Sequence, residues 1–359
     1  MVIETNITKM FGIKHPIVNA PMGPFQTDDM AIALCEAGGL GVVSHTPNQE
    51  LLRSMFLSDK STIQRPQSAD YIQESLTYVA EHTDKPFGFN IRTGRNEMDA
   101  ASFLRKVPKF IMENPKLKEQ VLYALTSAGS PRLLPKSKNF QKLREISDIK
   151  HFHVAPALWL ADKCIASGCD GLVLTGSEGG GHQSYEKVST LVLLQQVRQK
   201  YPDLPILACG GLASAEGLAA VIGMGGGGIV MGTRFIATKE SGFHKNYQNV
   251  IPPAKAGDTR LVTGMLGPIR LWKNKYCMSK DLVPSKENLV EIEGMRSAEE
   301  LLANWQHYMC ILDGEMEDSA VLMGQSAGVI NSVESLGDIV NMIIKGAEEC
   351  IKKAYANIK

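Results

Sequence analysis

The feature that most constrains this chain is a repeated unit, which consists of a short apolar run, a turn bearing glycine or proline, and a stretch with helical periodicity. The runs are continuously apolar and do not alternate with polar residues, which is typical of parallel strands buried on both faces. Eight such runs with helices between them predict an α/β fold, a (β/α)8 or TIM barrel, with a doubly wound open sheet as the weaker alternative. The runs cover residues 15–23, 40–45, 86–92, 120–131, 150–156, 169–176, 204–211 and 227–235.

The regular pattern is lost in the last third of the chain. Residues 245–291 contain prolines, charges and scattered apolar residues, which predicts an irregular excursion, and a helical pattern returns at 296–319. We expect residues 241–320 to cover the barrel mouth and not to form an independent domain. Residues 1–240 are therefore assigned to the barrel with its ligand site, and residues 321–359 to C-terminal helices that return to the barrel. Extra helical, charged material at 57–85 and 93–118 predicts insertions or long outer helices.

Glycine is the unusual element of the composition, with 33 residues that cluster where the predicted strands end. Chemistry in a (β/α)8 barrel lies at the carboxyl ends of the strands. Gly210 and Gly211 follow the seventh run and lead into a helix that begins near Ser214, while Gly232 and Thr233 follow the eighth. Backbone N–H groups at these two places predict a phosphate site, because barrel enzymes commonly bind phosphate after strands seven and eight. Tight turns without a ligand are the alternative.

Other strand ends carry groups that suit a flat ligand. Ala20, Pro21, Met22 and Gly23 place small residues and one polarizable side chain after the first run, and Asn90 places an amide in the third. With a phosphate site on the far side, these groups fit flavin mononucleotide (FMN). No GxGxxG motif opens a βαβ unit, so a dinucleotide is not expected. Core packing of Met22 and a turn cap at Asn90 are the alternatives.

The loop GSEGGGHQS, residues 176–184, contains the candidate catalytic residue. Its glycines let the backbone pass close to a ligand while the imidazole of His182 projects toward a substrate. Imidazole titrates near neutral pH and serves as a general acid or base, so we expect His182 to act in this way. A capped loop histidine is the alternative. His151 and His153 alternate in one run and point the same way, but no third ligand lies nearby and no metal site is expected.

Composition excludes several classes of function. Lys plus Arg and Asp plus Glu both number 38, which argues against a nucleic-acid-binding protein or a polybasic membrane-surface protein. No apolar run approaches about 18 residues, and the N-terminus lacks the pattern of a secretory signal. The seven cysteines have no CxxC spacing, which predicts free thiols in a reducing compartment. We therefore expect a cytoplasmic protein.

The order of the motifs APMG, PFGFN, EGGGH, ACGGLAS, MGTRF and GQSAG resembles that of the nitronate monooxygenase family, formerly called 2-nitropropane dioxygenase. The resemblance runs from about residue 7 to about residue 345. This family is similar in fold to the FMN-dependent enoyl-acyl carrier protein reductases. Its loop usually reads EAGGH, so Gly179 here replaces an alanine, and Thr175 stands where many relatives carry Gln or Glu.

The resemblance implies an FMN-binding barrel in which His182 is the catalytic residue. Its motif GQSAG, residues 324–328, is expected either to close the site or to cap the C-terminal helix. The FMN contacts that the resemblance implies are Met22, Gly23, Asn90, Gly180, Gly181, Gly210, Gly211, Gly232 and Thr233. Ala20, Pro21, Thr175 and Met231 adjoin them and complete the predicted cofactor site.

Three functions remain open at this stage. The first is oxidation of alkyl nitronates with dioxygen. The second is a reductase of enoyl thioesters that uses NADH or NADPH, for which the basic stretch 134–144 would dock an acidic carrier protein; a solvated helix face is the alternative for that stretch. The third is a flavin-binding sensor or scaffold without catalysis. The expected partners are thus a nitronate or an enoyl thioester, and dioxygen, with a homodimer left open.

Overall fold

The computed structural model describes residues 3–23, 25–45, 68–94, 99–264, 267–288 and 298–358. Within these residues, eight parallel strands form one sheet in the order β1-β9-β8-β6-β5-β4-β3-β2, in agreement with the predicted barrel. Its strands are β1 (Ile17–Asn19), β2 (Gly41–Val43), β3 (Phe87–Arg92), β4 (Val121–Ser127), β5 (Lys150–Ala155), β6 (Gly171–Thr175), β8 (Ile206–Cys209) and β9 (Gly228–Met231). Each of the eight predicted runs contains one of these strands.

The sheet closes because its two end strands meet. Val18 of β1 forms a parallel bridge with Leu40, just before β2. The Asn19 side chain adds to this contact: its Oδ1 accepts a hydrogen bond from the Val42 N–H at 2.6 Å, and its Nδ2 donates to the Val42 carbonyl at 2.9 Å. Strand β1 is only three residues long, and the buried amide extends the pairing where the backbone ladder is short.

Helices surround the barrel and cover its lower end. The helix that follows β8 begins at a side-chain cap, because the Ser214 hydroxyl accepts a hydrogen bond from the Gly217 N–H, as the sequence predicts. The helices are α1 (Asn6–Phe11), α2 (Asp28–Glu36), α3 (Ser68–His82), α4 (Ala100–Glu113), α5 (Pro115–Gln120), α6 (Lys138–Ile146), α7 (Leu158–Ile165), α8 (Thr190–Lys200), α9 (Ala215–Gly223), α10 (Thr233–Ile236), α11 (Lys245–Val250), α12 (Lys275–Met278), α13 (Ala298–Met309) and α14 (Leu336–Ala356). The extra material predicted at 68–85 and 99–118 is thus helical, while 57–67 and 95–98 lie outside the described residues.

The barrel interior changes character from its lower end to its mouth. Large apolar side chains such as Tyr123, Leu125 and Phe152 fill the lower layer. Alternate residues of a strand point to the same face, so the next inward positions form the layer at the mouth. These positions carry no aromatic or long aliphatic side chain: they are Ala20, Ser44, Asn90, Ser127, Val154, Thr175, Cys209 and Gly232.

A second, antiparallel sheet lies over the mouth. It consists of the hairpin β10 (Thr259–Gly264) and β11 (Gly267–Trp272) together with β7 (Gly181–His182), which belongs to the glycine–histidine loop. The expectation that residues 245–291 are irregular is therefore wrong for the hairpin, whereas the helical pattern expected at 296–319 agrees with α13. These residues contain a hairpin and helices, and the hairpin packs on its own apolar cluster around Val262, Ile269 and Leu271.

No helix in the described part of the chain is long and apolar enough to cross a membrane. All seven cysteines are free thiols, as the spacing of the cysteines predicts.

Candidate active site

The loop after β1 is held against β2 and β9 at the mouth. The Met22 N–H donates to the Ser44 hydroxyl at 2.8 Å, which fixes the loop over the strand end. A Cβ placed on Gly232 would lie 3.4 Å from the Ala20 Cβ and 3.7 Å from the Met22 Sδ, so these three residues are neighbours. The structure thereby brings together the predicted residues that follow the first and last strands of the barrel.

Asn90 lies in β3, two strands away from β1 around the barrel, and is buried. Its Nδ2 donates to the Leu125 carbonyl and to the Ser127 hydroxyl, both at 3.1 Å. Both amide protons are thus used by β4, and the side chain offers a ligand only its Oδ1 acceptor. From the sequence, the Asn90 amide is expected to offer a ligand both a donor and an acceptor; in the structure only the acceptor remains available.

The glycine loop packs against the backbone of the GQSAG segment at Gly180, but it borders open space at Gly181. A Cβ on Gly180 would lie 2.7 Å from the Gly324 nitrogen, which leaves no room for a side chain. Gly181 has a φ of +81°, a conformation that favours glycine, and a Cβ there would meet no described atom within 4 Å. The open side of Gly181 is the kind of space that a ligand lying against the backbone requires.

The second glycine cluster is tied to the same loop by Glu178 and Thr190. The Glu178 carboxylate accepts from the Thr190 N–H at 3.0 Å, at the N-terminus of α8, where a negative charge is favourable. The Thr190 hydroxyl donates to the Gly210 carbonyl at 2.7 Å. A Cβ on Gly211 would lie 3.2 Å from the Glu178 Cβ. The loops after β6 and β8 therefore form one unit.

The GQSAG segment completes this cluster. The Gly324 N–H donates to the Thr233 hydroxyl at 3.0 Å, and the Gln325 N–H donates to the Glu178 carbonyl at 2.8 Å. Ser335 caps the C-terminal helix instead. Of the two expectations for this motif, the structure supports the one in which it packs at the site.

His182 is positioned by the sheet over the mouth. It pairs with Ile269 of β11, and Gly181 pairs with Arg270. The buried Arg270 guanidinium donates from Nε to the Ser177 carbonyl at 2.7 Å and from Nη1 to the Thr259 hydroxyl at 3.1 Å. The backbone of the histidine is thus fixed by a strand ladder and by an arginine from the mouth-covering segment.

The imidazole of His182 is solvent-accessible although protein surrounds it. Burial, and secondly the positive charge of Arg92, lower its pKa to about 4. These properties fit a ring that faces a concave mouth, where solvent reaches the ring but the surrounding protein disfavours a charge. The ring is neutral at pH 7 and has the protonation state of a base.

The predicted site residues differ in their exposure to solvent. Gly180, Gly211 and His182 are exposed. Thr175 is largely buried, with its Cγ2 3.2 Å from the Cβ position of Gly179. Partly or fully buried are Ala20, Pro21, Met22, Gly23, Asn90, Gly181, Gly210, Met231, Gly232 and Thr233.

A cluster of polar side chains lies in the barrel wall, away from the mouth. The Thr126 hydroxyl lies 2.8 Å from His151 Nε2 and 2.7 Å from His153 Nδ1, and all three side chains are fully buried on the outer side of the barrel wall. The prediction that both histidines point the same way is correct. Among the described residues, no group of His, Cys, Asp and Glu is arranged to hold a metal ion.

Sequence reasoning missed four residues of the site: Ser44, Ser127, Arg270 and Arg92. The two serines belong to the inward positions of β2 and β4, which alternation along those strands identifies once the inward face is known. Arg270 lies between Ile269 and Leu271 in a short alternating stretch, which is a strand signal within the segment expected to be irregular.

Two surface cavities lie outside this site. One of about 540 Å³ is lined by Phe25, Tyr71 and Phe243, among others, and one of about 630 Å³ by Thr263, Asn304 and His307, among others. None of the predicted site residues lines either cavity. The chemistry of the donor groups, rather than cavity size, therefore identifies the mouth as the candidate site.

The family is decided by a match along almost the whole chain. The model of the nitronate monooxygenase family matches residues 4–346. The chain belongs to the nitronate monooxygenase family. It is accordingly an enzyme of a flavin-dependent oxidoreductase family, as the motif order implies.

Individual relatives of this nitronate monooxygenase family member differ in their activities. A probable nitronate monooxygenase of Staphylococcus saprophyticus is 24% identical over 95% of this chain and 100% of that protein. A (3aS,4S,5R,7aS)-5-hydroxy-7a-methyl-1-oxo-octahydro-1H-indene-4-carboxyl-CoA dehydrogenase of Rhodococcus jostii is 30% identical over 82% of this chain and 71% of that protein. The solved structure of FabK from Thermotoga maritima superposes with a TM-score of 0.77 at 26% identity and covers 99% of this chain and 100% of that chain.

Proposed function

We propose that this enzyme binds FMN across the strand ends and oxidises alkyl nitronates with dioxygen, with His182 as its acid–base residue. The observation that carries the proposal is the place of His182. Its imidazole is accessible in the barrel mouth, fixed by β11, and neutral at pH 7. A neutral imidazole accepts a proton from carbon, or donates a hydrogen bond to an anionic substrate.

The residues at the mouth fit FMN. The small and polar layer that includes Ala20 and Asn90 leaves room for a flat ring, and Asn90 Oδ1 is an acceptor for a ring N–H. The backbone of Gly211, Gly232 and Thr233 would hold the phosphate at the ends of β8 and β9. When bound, FMN takes electrons from the substrate carbon and delivers them to dioxygen. The segment 241–320 would act as the cover that keeps the histidine loop in place.

The chain's own contribution to the reaction is proton transfer and charge stabilisation. With a neutral nitroalkane, a ring nitrogen of His182 would take the proton from the carbon beside the nitro group. With a preformed nitronate that proton is already absent, and the imidazole would hydrogen-bond the nitro oxygens. We place this chemistry in the cytoplasm, with a nitronate and dioxygen as the small-molecule partners.

Reduction of an enoyl thioester by NADH or NADPH is the second candidate. It is favoured by the Rhodococcus relative, whose name includes a CoA thioester, and by the exposed cations Lys136, Lys138 and Lys142 of the basic stretch 134–144. Against it, a reductase must deliver a proton to carbon. The lowered pKa of His182 leaves the ring mostly without the extra proton of an imidazolium at pH 7, although the same shift also makes the neutral ring a weaker base.

One experiment tests the cofactor. The purified protein is expected to be yellow and to release FMN on denaturation, identified by chromatography against FMN and FAD standards. Release of FAD, or a colourless protein that FMN does not reconstitute, would contradict the proposed cofactor.

A second experiment tests the reaction. The flavin of the anaerobic holoprotein is mixed with ethylnitronate, NADH and NADPH in parallel, and its absorbance is followed by stopped flow. The proposal expects rapid bleaching by the nitronate only. Rapid bleaching by NADH or NADPH with no response to the nitronate would favour the reductase instead.

A further inference from the structure

Arg92 is the charged residue at the inner edge of the mouth. It ends β3, where Phe87, Phe89 and Ile91 pack outward against the helices. Asn90 and Arg92 therefore face inward, since alternate residues of a strand share a face. Arg92 is the next inward-facing position of β3 after Asn90. It lies closer to solvent than Asn90 does and is half-buried.

The backbone of Arg92 is fixed independently of its side chain. Its N–H donates to Nδ1 of the fully buried His45 at 3.0 Å, and His45 Nε2 lies 3.4 Å from the Asp99 carboxylate. The ring of His45 also stacks on Phe103, with centroids 4.1 Å apart. A change of the guanidinium does not remove the hydrogen bond of the Arg92 backbone N–H to His45.

Three elements bring charged or polar side chains to the same space. Arg92 comes from β3, His182 from β7 and Tyr308 from α13. The charge of Arg92 acts on both of the others: it adds to burial in lowering the pKa of His182, and it opposes the rise that burial and Tyr276 cause in the pKa of Tyr308. The guanidinium therefore lies within electrostatic range of the imidazole, on the inward face of β3 at the mouth.

We propose that Arg92 binds the two oxygens of the substrate's nitro or nitronate group and holds the adjacent carbon toward His182. A guanidinium presents a planar pair of N–H donors that matches two oxygens on one atom, whereas the single carbonyl oxygen of a thioester uses only one of them. The identification of the bound group as a nitro compound rests on the proposed function. The inference that Arg92 binds a planar oxyanion is independent of the proposed function.

The geometry gives Arg92 a part in the proton transfer. When His182 takes the proton from carbon, the electron pair of the C–H bond becomes the C=N π bond of the nitronate. The negative charge then moves onto the nitro oxygens, beside the guanidinium. Arg92 stabilises that charge as it develops, so it acts on the transition state as well as on binding. No oxidant is consumed in this step.

Nitrate is a suitable probe because it is a planar oxyanion that cannot react. Sodium nitrate is titrated into the FMN-loaded protein by calorimetry, with the wild type, Arg92→Gln, Arg92→Lys and Arg132→Gln compared at constant ionic strength. Arg132, an exposed residue in the loop after β4, is the matched control for loss of one positive charge. FMN content and Tm of each variant are measured alongside.

We expect saturable binding to the wild type, a loss of about 10–100-fold in Arg92→Gln, a smaller loss in Arg92→Lys, and no change in Arg132→Gln. Absence of binding to the wild type, equal binding to Arg92→Gln, or an equal loss in Arg132→Gln would overturn the proposal. If nitrate binding depends on Arg92 but no nitro compound is oxidised, the oxyanion site stands and the proposed function fails.

Discussion

Two groups of histidines in this molecule share a neutral state but differ in their surroundings. His182 at the mouth has a pKa lowered to about 4, and His151 and His153 in the barrel wall have pKa values lowered to about 3, chiefly by burial in each case. His151 and His153 are fully buried and share the Thr126 hydroxyl, with Cys169 Sγ 3.6 Å from His151 Nδ1. His182 is accessible to solvent.

The comparison teaches that a lowered pKa does not by itself identify a catalytic residue. Both groups sit in surroundings that disfavour charge. The wall histidines both contact the Thr126 hydroxyl and are fully buried, so no substrate reaches them. His182 presents its ring where a substrate can enter, and its backbone is held by β11 rather than by its side chain. We therefore assign chemistry to the mouth and stability to the wall.

The largest expected effect is a loss of turnover when His182 is replaced, which no replacement of the wall histidines should cause. His182→Ala should lower turnover of a neutral nitroalkane by about 10²–10⁴-fold, the usual contribution of a positioned acid–base group. Turnover of the preformed nitronate should fall less, because its proton is already gone. FMN content should stay near wild type. Full activity of His182→Ala on neutral nitroalkanes with FMN bound would show that His182 is only a loop residue.

A smaller effect is expected on cofactor binding when the loop backbone is changed. Gly181→Val forces a β-branched residue into a φ of +81°, a strain of about 1–3 kcal/mol, and points a side chain into the open space of the mouth. We expect FMN affinity to fall about ten-fold or more. Gly223→Val is the control, because a Cβ at Gly223 also meets no described atom within 4 Å but lies in α9. Equal FMN affinity in both variants would remove Gly181 from the cofactor site.

The wall histidines should affect stability and leave chemistry unchanged. His151→Leu removes a ring that bonds the buried Thr126 hydroxyl, and we expect a loss of about 1–3 kcal/mol in the free energy of unfolding. Urea denaturation measures this loss, and kcat of the FMN-loaded variant should equal that of the wild type. A variant of unchanged stability with reduced kcat would reverse the assignment.

The last prediction concerns how the free energy of unfolding changes with pH, which is small within any one pH unit. Unfolded histidines titrate near 6.5, whereas folded His151 and His153 stay neutral down to about pH 3. The unfolded chain thus binds more protons between these values. The stabilisation is complete above pH 6.5 and is lost as the pH falls toward 3, by at most about 1.4 kcal/mol per pH unit for each histidine. His151→Leu should have a shallower slope than the wild type. Identical slopes between pH 4.5 and 6 would show that His151 is not buried as a neutral ring.

Much of the fold follows from local sequence pattern. Apolar runs such as 169–176 and 204–211 predict the strands, because a parallel strand buried on both faces has no polar alternation. The glycine clusters at Gly210 and Gly232 stand where apolar runs end, so they predict where the mouth of the barrel lies. The preference of serine for the start of a helix likewise predicts the cap at Ser214.

The rest of the site depends on contacts between distant segments. His182 pairs with Ile269 across a long separation in the chain, and two residues of β7 carry no periodicity that would reveal a strand. The inward direction of Arg92 is known only once Phe89 and Ile91 are seen to pack outward. Short-range pattern identifies a strand end, but the tertiary fold decides which side chains meet there.

The central claim is that the accessible, neutral imidazole of His182 removes a proton from the substrate carbon. It is tested most directly by anaerobic stopped flow at pH 7 with nitroethane and nitroethane deuterated at the reacting carbon. The account predicts that the flavin of the wild type is bleached more slowly by the deuterated compound, and that His182→Ala is bleached by ethylnitronate but hardly by either nitroethane. Equal rates with the two nitroethanes in the wild type, or equal bleaching of His182→Ala and wild type by nitroethane, would contradict it.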